Sequence, residues 1–189
     1  MTSASSTAAS PICTIGHSTR PLAEFIGLLQ ANEVKRVLDV RSVPRSRHNP
    51  QYNLDALPAA LQAAGIGYSH LAGLGGLRHA RPDTVNTGWH NLSFRGYADY
   101  MQSAAFAGHL QEAIALAARE RCVLMCAEAV PWRCHRSLIA DALLLRGLQV
   151  EDIIGPHGRK PHRLTPWARV DGLDICYPPP AGETRDEGG

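Results

Sequence analysis

Two cysteines, a histidine and an acidic residue occur together in one short segment whose side chains are suited to nucleophilic chemistry. The segment runs from Cys126 to Arg136 and reads CAEAVPWRCHR. We expect Cys134 to stand just before the first turn of a helix, where unsatisfied N–H groups and the helix dipole favour a thiolate. The segment therefore predicts a nucleophilic or redox-active thiol at Cys134, as in phosphatase-like or sulfurtransferase-like loops.

Proton transfer in such a site falls to Glu128 or His135. Glu128 follows an apolar strand and lies between two alanines, which favours partial burial and a raised pKa. The alternative for Glu128 is an ion pair with a nearby arginine. The alternative for the thiols is structural, with Cys126 as a small core residue at a strand end and Cys134 as a loop thiol.

The same segment offers a weaker case for a metal. The possible ligands are Cys122, Cys126, Cys134 and His135. Strand residues four positions apart do not form a compact zinc knuckle, and the chain contains no C-x-x-C pair. We therefore predict no metal ligands and name no cofactor, although a histidine-lined metal at His17 or His70 stays open.

A second set of residues is suited to holding an anion. Asp39 and Arg41 lie two apart, on the same side of a strand near its carboxyl end, so the carboxylate can orient a guanidinium toward a ligand. The alternative is a structural salt bridge. We assign ligand binding to His17, Ser18, Asp39, Arg41, Arg45 and Arg136.

The elements that must position these residues alternate along the chain. Short apolar runs predict strands at Ile12–Ile15, Arg36–Val40, Gly67–Leu71, Cys122–Ala127 and Val150–Ile154. Helical periodicity predicts helices at Pro21–Ala31, with Ser18 or Thr19 as N-cap, at Leu54–Ala64, at Tyr97–Arg119 as two helices around Gly108, and at Ser137–Leu145.

This alternation predicts an α/β fold with a mainly parallel central sheet of about five strands and helices on both faces. In such sheets the ligand crevice lies beyond the carboxyl ends of the strands. The loops at those ends carry most of the candidate arginines and histidines. We therefore expect them to converge on one place.

Composition limits the alternatives. The chain has 189 residues, a net charge of +2, and 17 arginines against two lysines. Genome composition is one explanation of this arginine excess. We expect one domain over residues 11–177, with disordered tails at 1–10 and 178–189. No apolar run would span a membrane, no secretory signal is present, and five cysteines are an odd count, so we expect reduced thiols in the cytoplasm.

Four motifs together resemble the family called domain of unknown function 488 (DUF488). They are TIGHSTRPLAEFIGLL, LDVRSVPRSRHNPQYN, YSHLAGLGG and LMCAEAVPWRCHR, and the resemblance covers roughly residues 12 to 165. It implies a compact α/β domain and an intracellular bacterial or archaeal protein, and it supplies no reaction. A shorter branch of the family keeps the Asp-x-Arg and Pro-Arg pattern without the two cysteines, which makes the arginine pocket more central than the thiol.

The first functional hypothesis is therefore an anion pocket at the carboxyl edge of the sheet, in an enzyme or ligand-binding domain for a phosphate- or carboxylate-bearing molecule. The second is a nucleic-acid-binding accessory protein that uses the same basic face. A third is a domain that only binds a protein partner. The sequence leaves open whether Cys126 and Cys134 are nucleophile, redox pair or structural, and it leaves the oligomeric state open.

Overall fold

One six-stranded sheet organises the protein, which a computed structural model describes at residues 10–156 and 158–180. Its strands are β1 (Ile12–Gly16), β2 (Arg36–Asp39), β3 (Gly67–His70), β4 (Cys122–Cys126), β5 (Val150–Ile153) and β6 (Arg159–Pro161). The strand order is β3-β2-β4-β1-β5-β6, and only β6 runs antiparallel. A two-stranded antiparallel ribbon, β7 (Arg169–Asp171) and β8 (Asp174–Cys176), lies outside this sheet. The predicted α/β class with a mainly parallel sheet is confirmed.

Helices cover both faces of the sheet. They are α1 (Leu22–Ala31), α2 (Leu57–Ala63), α3 (Leu92–Met101), α4 (Ala104–Ala117) and α5 (Arg136–Leu144). Side chains alternate along β4, so Val123 and Met125 join the core under α1 and α2, whereas Leu124 joins the core under α3, α4 and α5. Apolar residues on both faces explain why β4 reads as a continuous hydrophobic run.

The path of the chain creates a crevice between β1 and β4. These neighbouring parallel strands lead into helices on opposite faces, because α1 packs in one core and α5 in the other. Their carboxyl-end loops therefore diverge, which is the arrangement that opens a ligand crevice in an α/β sheet.

Three local details differ from the sequence prediction, each for a local reason. The sheet has a sixth strand, β6, which escaped prediction because it is three residues long, polar and exposed. The predicted helix pair breaks at Ser103, whose side chain accepts the Phe106 N–H at 3.2 Å, and not at Gly108, which lies inside α4. The N-cap of α1 is Pro21, with no side-chain cap, so Ser18 or Thr19 does not cap this helix.

The described termini carry no helix or strand at Ser10 or at 177–180. The predicted disordered tails fall mostly on residues 1–9 and 181–189, which lie outside the described residues. No helix in the described parts of the chain combines the length and apolarity that a membrane span needs.

A buried polar cluster fixes the chain after β5 to the rest of the fold. Asp141 on α5 accepts hydrogen bonds from His162 at 2.8 Å, from the Thr165 hydroxyl at 2.7 Å and from the Tyr177 hydroxyl at 2.9 Å. Asp152 on β5 accepts the Thr14 hydroxyl at 2.6 Å. These bonds satisfy two buried carboxylates, which would otherwise be costly to bury.

Candidate functional site

A cavity of about 700 Å³ opens at the carboxyl ends of β1, β2 and β4. Most of the residues expected at the site line it: His17, Ser18, Arg41, Arg45, Glu128, Cys134 and His135. Asp39 and Arg136 are buried and do not line the cavity, although both bond to groups that do. The convergence expected from the strand ends is therefore present for most of the set.

Arg41 forms part of the cavity floor and is held in place almost completely. Its Nε donates to Asp39 Oδ1 at 2.8 Å and its Nη2 donates to Asp39 Oδ2 at 2.5 Å. Nη2 also donates to the Tyr52 carbonyl at 2.8 Å, and Nη1 donates to His17 Nε2 at 3.2 Å. Four of its five N–H groups are thus used, which leaves one on Nη1. Burial opposes the charge of Arg41, but the bonds to Asp39 outweigh it and raise the pKa.

His17 is neutral and links Arg41 to the main chain at Ser18. Its Nε2 accepts from Arg41, so its Nδ1 carries the hydrogen and donates to the Ser18 carbonyl at 2.8 Å. Burial lowers the pKa of His17, and the nearby Arg41 charge acts in the same direction. The ring stacks on Tyr52 with centroids 4.0 Å apart. Both nitrogens are therefore occupied within the protein, and His17 orients Arg41.

Arg136 supports the loop that follows β4. All four carbonyls of residues 126–129 accept hydrogen bonds from outside the loop. The first two accept the N–H groups of His17 and Ser18, each at 2.9 Å, and the last two accept the Arg136 guanidinium at 2.6 and 3.1 Å. Only 1% of Arg136 is exposed. Its guanidinium thus holds the loop in place. This explains why Arg136, which was expected to bind the ligand, does not line the cavity.

Gly16 lets this loop lie directly against β1. A Cβ built on Gly16 would stand 1.7 Å from the Glu128 carbonyl oxygen, a backbone atom that has no room to move. No other residue type fits there. The loop position therefore depends on a glycine at the end of β1.

The N–H groups of the loop after β4 differ from its carbonyls in their hydrogen bonding. Within the described residues, none of the N–H groups of Ala127, Glu128 and Ala129 has an oxygen or nitrogen acceptor in the protein, and all three residues line the cavity. The Glu128 N–H contributes to the lowered pKa of Cys126. Successive main-chain N–H groups around one concavity form a site for an anion.

Cys126, Cys134 and His135 form a compact cluster in the cavity wall. Their Sγ, Sγ and Nδ1 atoms all lie within 4.8 Å of one another. His135 Nδ1 is 4.0 Å from Cys126 Sγ and 3.7 Å from Cys134 Sγ. The other ring nitrogen, Nε2, donates to the Val40 carbonyl at 2.9 Å, so in the neutral ring Nδ1 is the acceptor that faces both sulfurs.

The two thiols have opposite acidities. A hydrogen bond from Cys134, reinforced by His135 and the Glu128 N–H, lowers the pKa of Cys126 despite its burial. The same bond and burial raise the pKa of Cys134. The structure therefore favours a thiolate at Cys126, whereas the sequence pattern favoured Cys134.

Three further side chains stand at the cavity rim, where they are exposed. Arg45 and Arg133 line the cavity, and neither guanidinium has a hydrogen-bond or ion-pair partner in the described part of the chain. Glu128 is exposed too, so the partial burial expected from its alanine neighbours is not found. Of the cavity arginines, Arg45 and Arg133 are therefore the ones free to bind a ligand.

The protein is therefore of the open-sheet α/β class, and arginine and cysteine side chains line a cavity at the carboxyl ends of its strands. The chain belongs to the family whose model is described as domain of unknown function DUF488, which matches residues 21–143, roughly two thirds of its length. The resemblance seen in the four sequence motifs is confirmed over that range. No curated protein and no solved structure matches the chain.

Three residues that the sequence prediction did not assign to the site also line or support the cavity: Cys126, whose role stayed open, Arg133 and Gly76. Cys126 and Arg133 belong to the segment singled out, but their orientation depends on how the loop folds back, and no periodicity reports that. Gly76 touches the His135 ring, since a Cβ there would stand 2.6 Å from Nδ1 and 2.9 Å from Cγ and Cε1. Its only sequence signal is its place in the GLGG stretch.

Proposed function

We propose that this protein is an enzyme that binds a phosphate- or carboxylate-bearing small molecule in the cavity and acts on it at the Cys126–Cys134–His135 cluster. The observation that carries the proposal is the meeting of three features in one cavity. These are the unpartnered guanidinium groups of Arg45 and Arg133, the free loop N–H groups, and the sulfur–imidazole cluster.

The division of labour among the arginines supports this proposal. Asp39, Tyr52 and His17 engage four of the five N–H groups of Arg41. Two loop carbonyls accept from the buried Arg136, so both arginines support the cavity wall. Within residues 10–156 and 158–180, Arg45 and Arg133 have no such partners, and both line the same cavity. A guanidinium binds a phosphate or carboxylate through paired N–H donors, so these two are suited to clamp one anionic group.

The mouth of the cavity adds a second element of specificity. Val43 and Leu77 line it and are 63% and 76% exposed. Exposed apolar side chains beside a charged interior suit a substrate with an apolar part next to its anionic group. Glu128 at the rim is placed to exchange a proton with such a substrate.

One observation favours the alternative of nucleic-acid binding. Arg45, Arg47, Arg133 and Trp132 are all exposed, and an exposed indole beside an arginine is a possible base-stacking surface. Tyr52 and the cavity-lining Phe94 are both buried. A single stacking side chain makes the small anionic ligand the better proposal.

The five free cysteines suit a reducing compartment, so we propose that the protein acts in the cytoplasm.

Calorimetric titration with inorganic phosphate, phenyl phosphate and benzoate tests the anion site. We expect Arg45→Ala and Arg133→Ala each to raise the Kd by about tenfold or more, since a hydrogen bond to a charged group contributes about 1.5–3 kcal/mol. Arg47→Ala is the matched control, because Arg47 is exposed and equally charged but does not line the cavity. Its Kd should change less than about twofold at physiological salt.

Equal losses in all three variants would show that binding follows total charge and would overturn the cavity proposal. Binding to generic DNA that falls steeply with salt, with Arg47→Ala as damaging as Arg45→Ala, would favour the nucleic-acid alternative. Turnover is measured on a panel of phosphate and carboxylate esters, with Cys126→Ala as the inactive variant. A protein that binds these anions in the cavity and turns over neither class of ester would be a binding module.

A further inference from the structure

We infer that Cys126, Cys134 and His135 bind a zinc ion whose fourth coordination position opens into the cavity. The three donor atoms, two sulfurs and one imidazole nitrogen, already lie within 4.8 Å of one another. The sequence argued against a metal because Cys122 and Cys126 lie four apart on a strand. The fold leaves Cys122 out of the cluster and brings Cys134 and His135 to Cys126.

The spacing of the donor atoms fits a tetrahedral ion. Zinc–sulfur bonds of about 2.3 Å and zinc–nitrogen bonds of about 2.0–2.1 Å place sulfur and nitrogen about 3.6 Å apart in a tetrahedral site. His135 Nδ1 lies 3.7 Å from Cys134 Sγ and 4.0 Å from Cys126 Sγ. The sulfur–nitrogen distances need a contraction of a few tenths of an ångström at most. The two sulfurs, which lie within 4.8 Å of each other, must stand about 3.8 Å apart to close the site around the ion.

His135 is oriented as a metal ligand requires. Its Nε2 hydrogen is donated to the Val40 carbonyl, which leaves a lone pair on Nδ1 toward the sulfurs. Metal-bound histidines almost always donate their second ring nitrogen in this way. Gly76 lies over one part of the ring face, and the Tyr97 ring packs with its centroid 4.9 Å away. The ring is therefore fixed before an ion arrives.

Metal binding requires both sulfurs as thiolates. Two thiolates and one divalent ion give a neutral cluster, which suits the burial of both cysteines, 7% and 3% exposed.

The donor set indicates a reactive site more than a closed structural one. The cluster offers three protein ligands among the described residues, and all three line the cavity. Structural zinc sites are closed by four protein ligands, whereas catalytic sites keep one position for water or substrate. Thiolate and imidazole together favour zinc over the harder ions magnesium and calcium. The role of the ion in catalysis rests on the proposed function, whereas its binding does not.

The test uses the full chain, purified under reducing conditions and stripped with a chelator, and titrates it with Co²⁺ and then Zn²⁺. We expect one ion per chain, sulfur-to-cobalt charge-transfer absorption, and its loss when zinc displaces cobalt. Zinc should also protect two of the five thiols, Cys126 and Cys134, from alkylation. Cys126→Ala should lose the cobalt absorption. Cys122→Ala, which removes a buried sulfur from the same strand, should keep it.

Because Cys126→Ala removes a buried side chain, a second variant keeps the inference falsifiable if that protein does not fold. Gly76→Ala leaves all three ligands in place but pushes on the His135 ring, so it should weaken zinc affinity about 10–100-fold. A folded wild-type chain that binds neither ion at stoichiometric concentration would overturn the inference. So would cobalt absorption without sulfur bands, or zinc affinity unchanged in Gly76→Ala. Anion binding through Arg45 and Arg133 is measured separately, so either proposal can fail alone.

Discussion

The stability of the protein should depend on pH through His162, which lies between two buried carboxylates. Its Nε2 is 2.8 Å from Asp141 Oδ1 and its Nδ1 is 3.6 Å from Asp152 Oδ2. Burial disfavours the charged ring, but the hydrogen bonds and charges of the two aspartates outweigh it and raise the pKa to about 9. The imidazolium thus joins α5 and β5 to the chain after β6.

The sign and size of the effect follow from linkage. The folded pKa lies above the unfolded value of 6.5, so the contribution to stability is complete below about pH 6.5. It falls as the pH rises and is lost above about pH 9. The difference between the two values corresponds to roughly 3 kcal/mol of unfolding free energy, and the side chain is only 9% exposed, so solvent screens it little.

Urea unfolding at pH 6 and pH 9.5 measures this loss, with His162→Gln as the comparison. Both proteins share every other titrating group, so the difference between their pH dependences isolates His162. We expect the wild type to lose about 3 kcal/mol more than the variant over this range. Parallel pH dependences would refute the reasoning. A midpoint near 6.5 for the His162 ring protons by NMR would refute it as well.

The remaining predictions concern the site's supports. Gly16→Ala should destabilise the fold by about 1–3 kcal/mol and weaken anion binding, because its Cβ would stand 1.7 Å from the Glu128 carbonyl. Gly27→Ala on α1 is the control; its Cβ meets nothing within 4 Å, so urea unfolding should show a gain of up to about 1 kcal/mol. Asp39→Asn should lower the unfolding free energy by about 3–5 kcal/mol, since it leaves the buried charge of Arg41 unpaired.

Clear outcomes would contradict these two predictions. If Gly16→Ala binds phenyl phosphate and unfolds like Gly27→Ala, the loop after β4 is not held against β1 in the way the structure indicates. The matched control for Asp39→Asn is Asp83→Asn, because Asp83 is 86% exposed in its ion pair with Arg81. That pair is worth little, so equal losses in the two variants would show that Asp39 does not anchor Arg41.

The sequence predicts the sheet well because β4 and its neighbours are buried on both faces, and such strands appear in the sequence as continuous runs of apolar residues. Val123 and Leu124 point to opposite cores, and both must be apolar, so the run is unmistakable. The same reasoning fails for β6, where Arg159, Lys160 and Pro161 are exposed and carry no hydrophobic signal. Tertiary pairing with β5, rather than local preference, makes them a strand.

The convergence of most candidate side chains on one cavity was also predictable, but their hydrogen-bond partners were not. Arg41, Arg45 and Arg136 look alike in sequence, each near a strand or helix end. Their difference lies in partners far along the chain, such as the Glu128 carbonyl that accepts from Arg136. Asp39 was expected to hold an arginine, and it does.

The cysteine cluster illustrates the same limit. Eight positions separate Cys126 from Cys134, a spacing typical of no compact metal motif. The loop between them folds back because four of its carbonyls are held by distant donors and because Gly16 leaves room for it. These constraints act between separate elements, so no local pattern encodes them.

An NMR titration with phenyl phosphate tests the anion site most directly, because it reports which amides the ligand reaches. We predict that the N–H resonances of Ala127, Glu128 and Ala129 shift in saturable fashion. The shifts should be retained in Arg47→Ala and should need about tenfold more ligand in Arg45→Ala. Saturable shifts confined to residues outside the cavity, or an identical response in the two variants, would contradict an anion site at the carboxyl ends of β1 and β4.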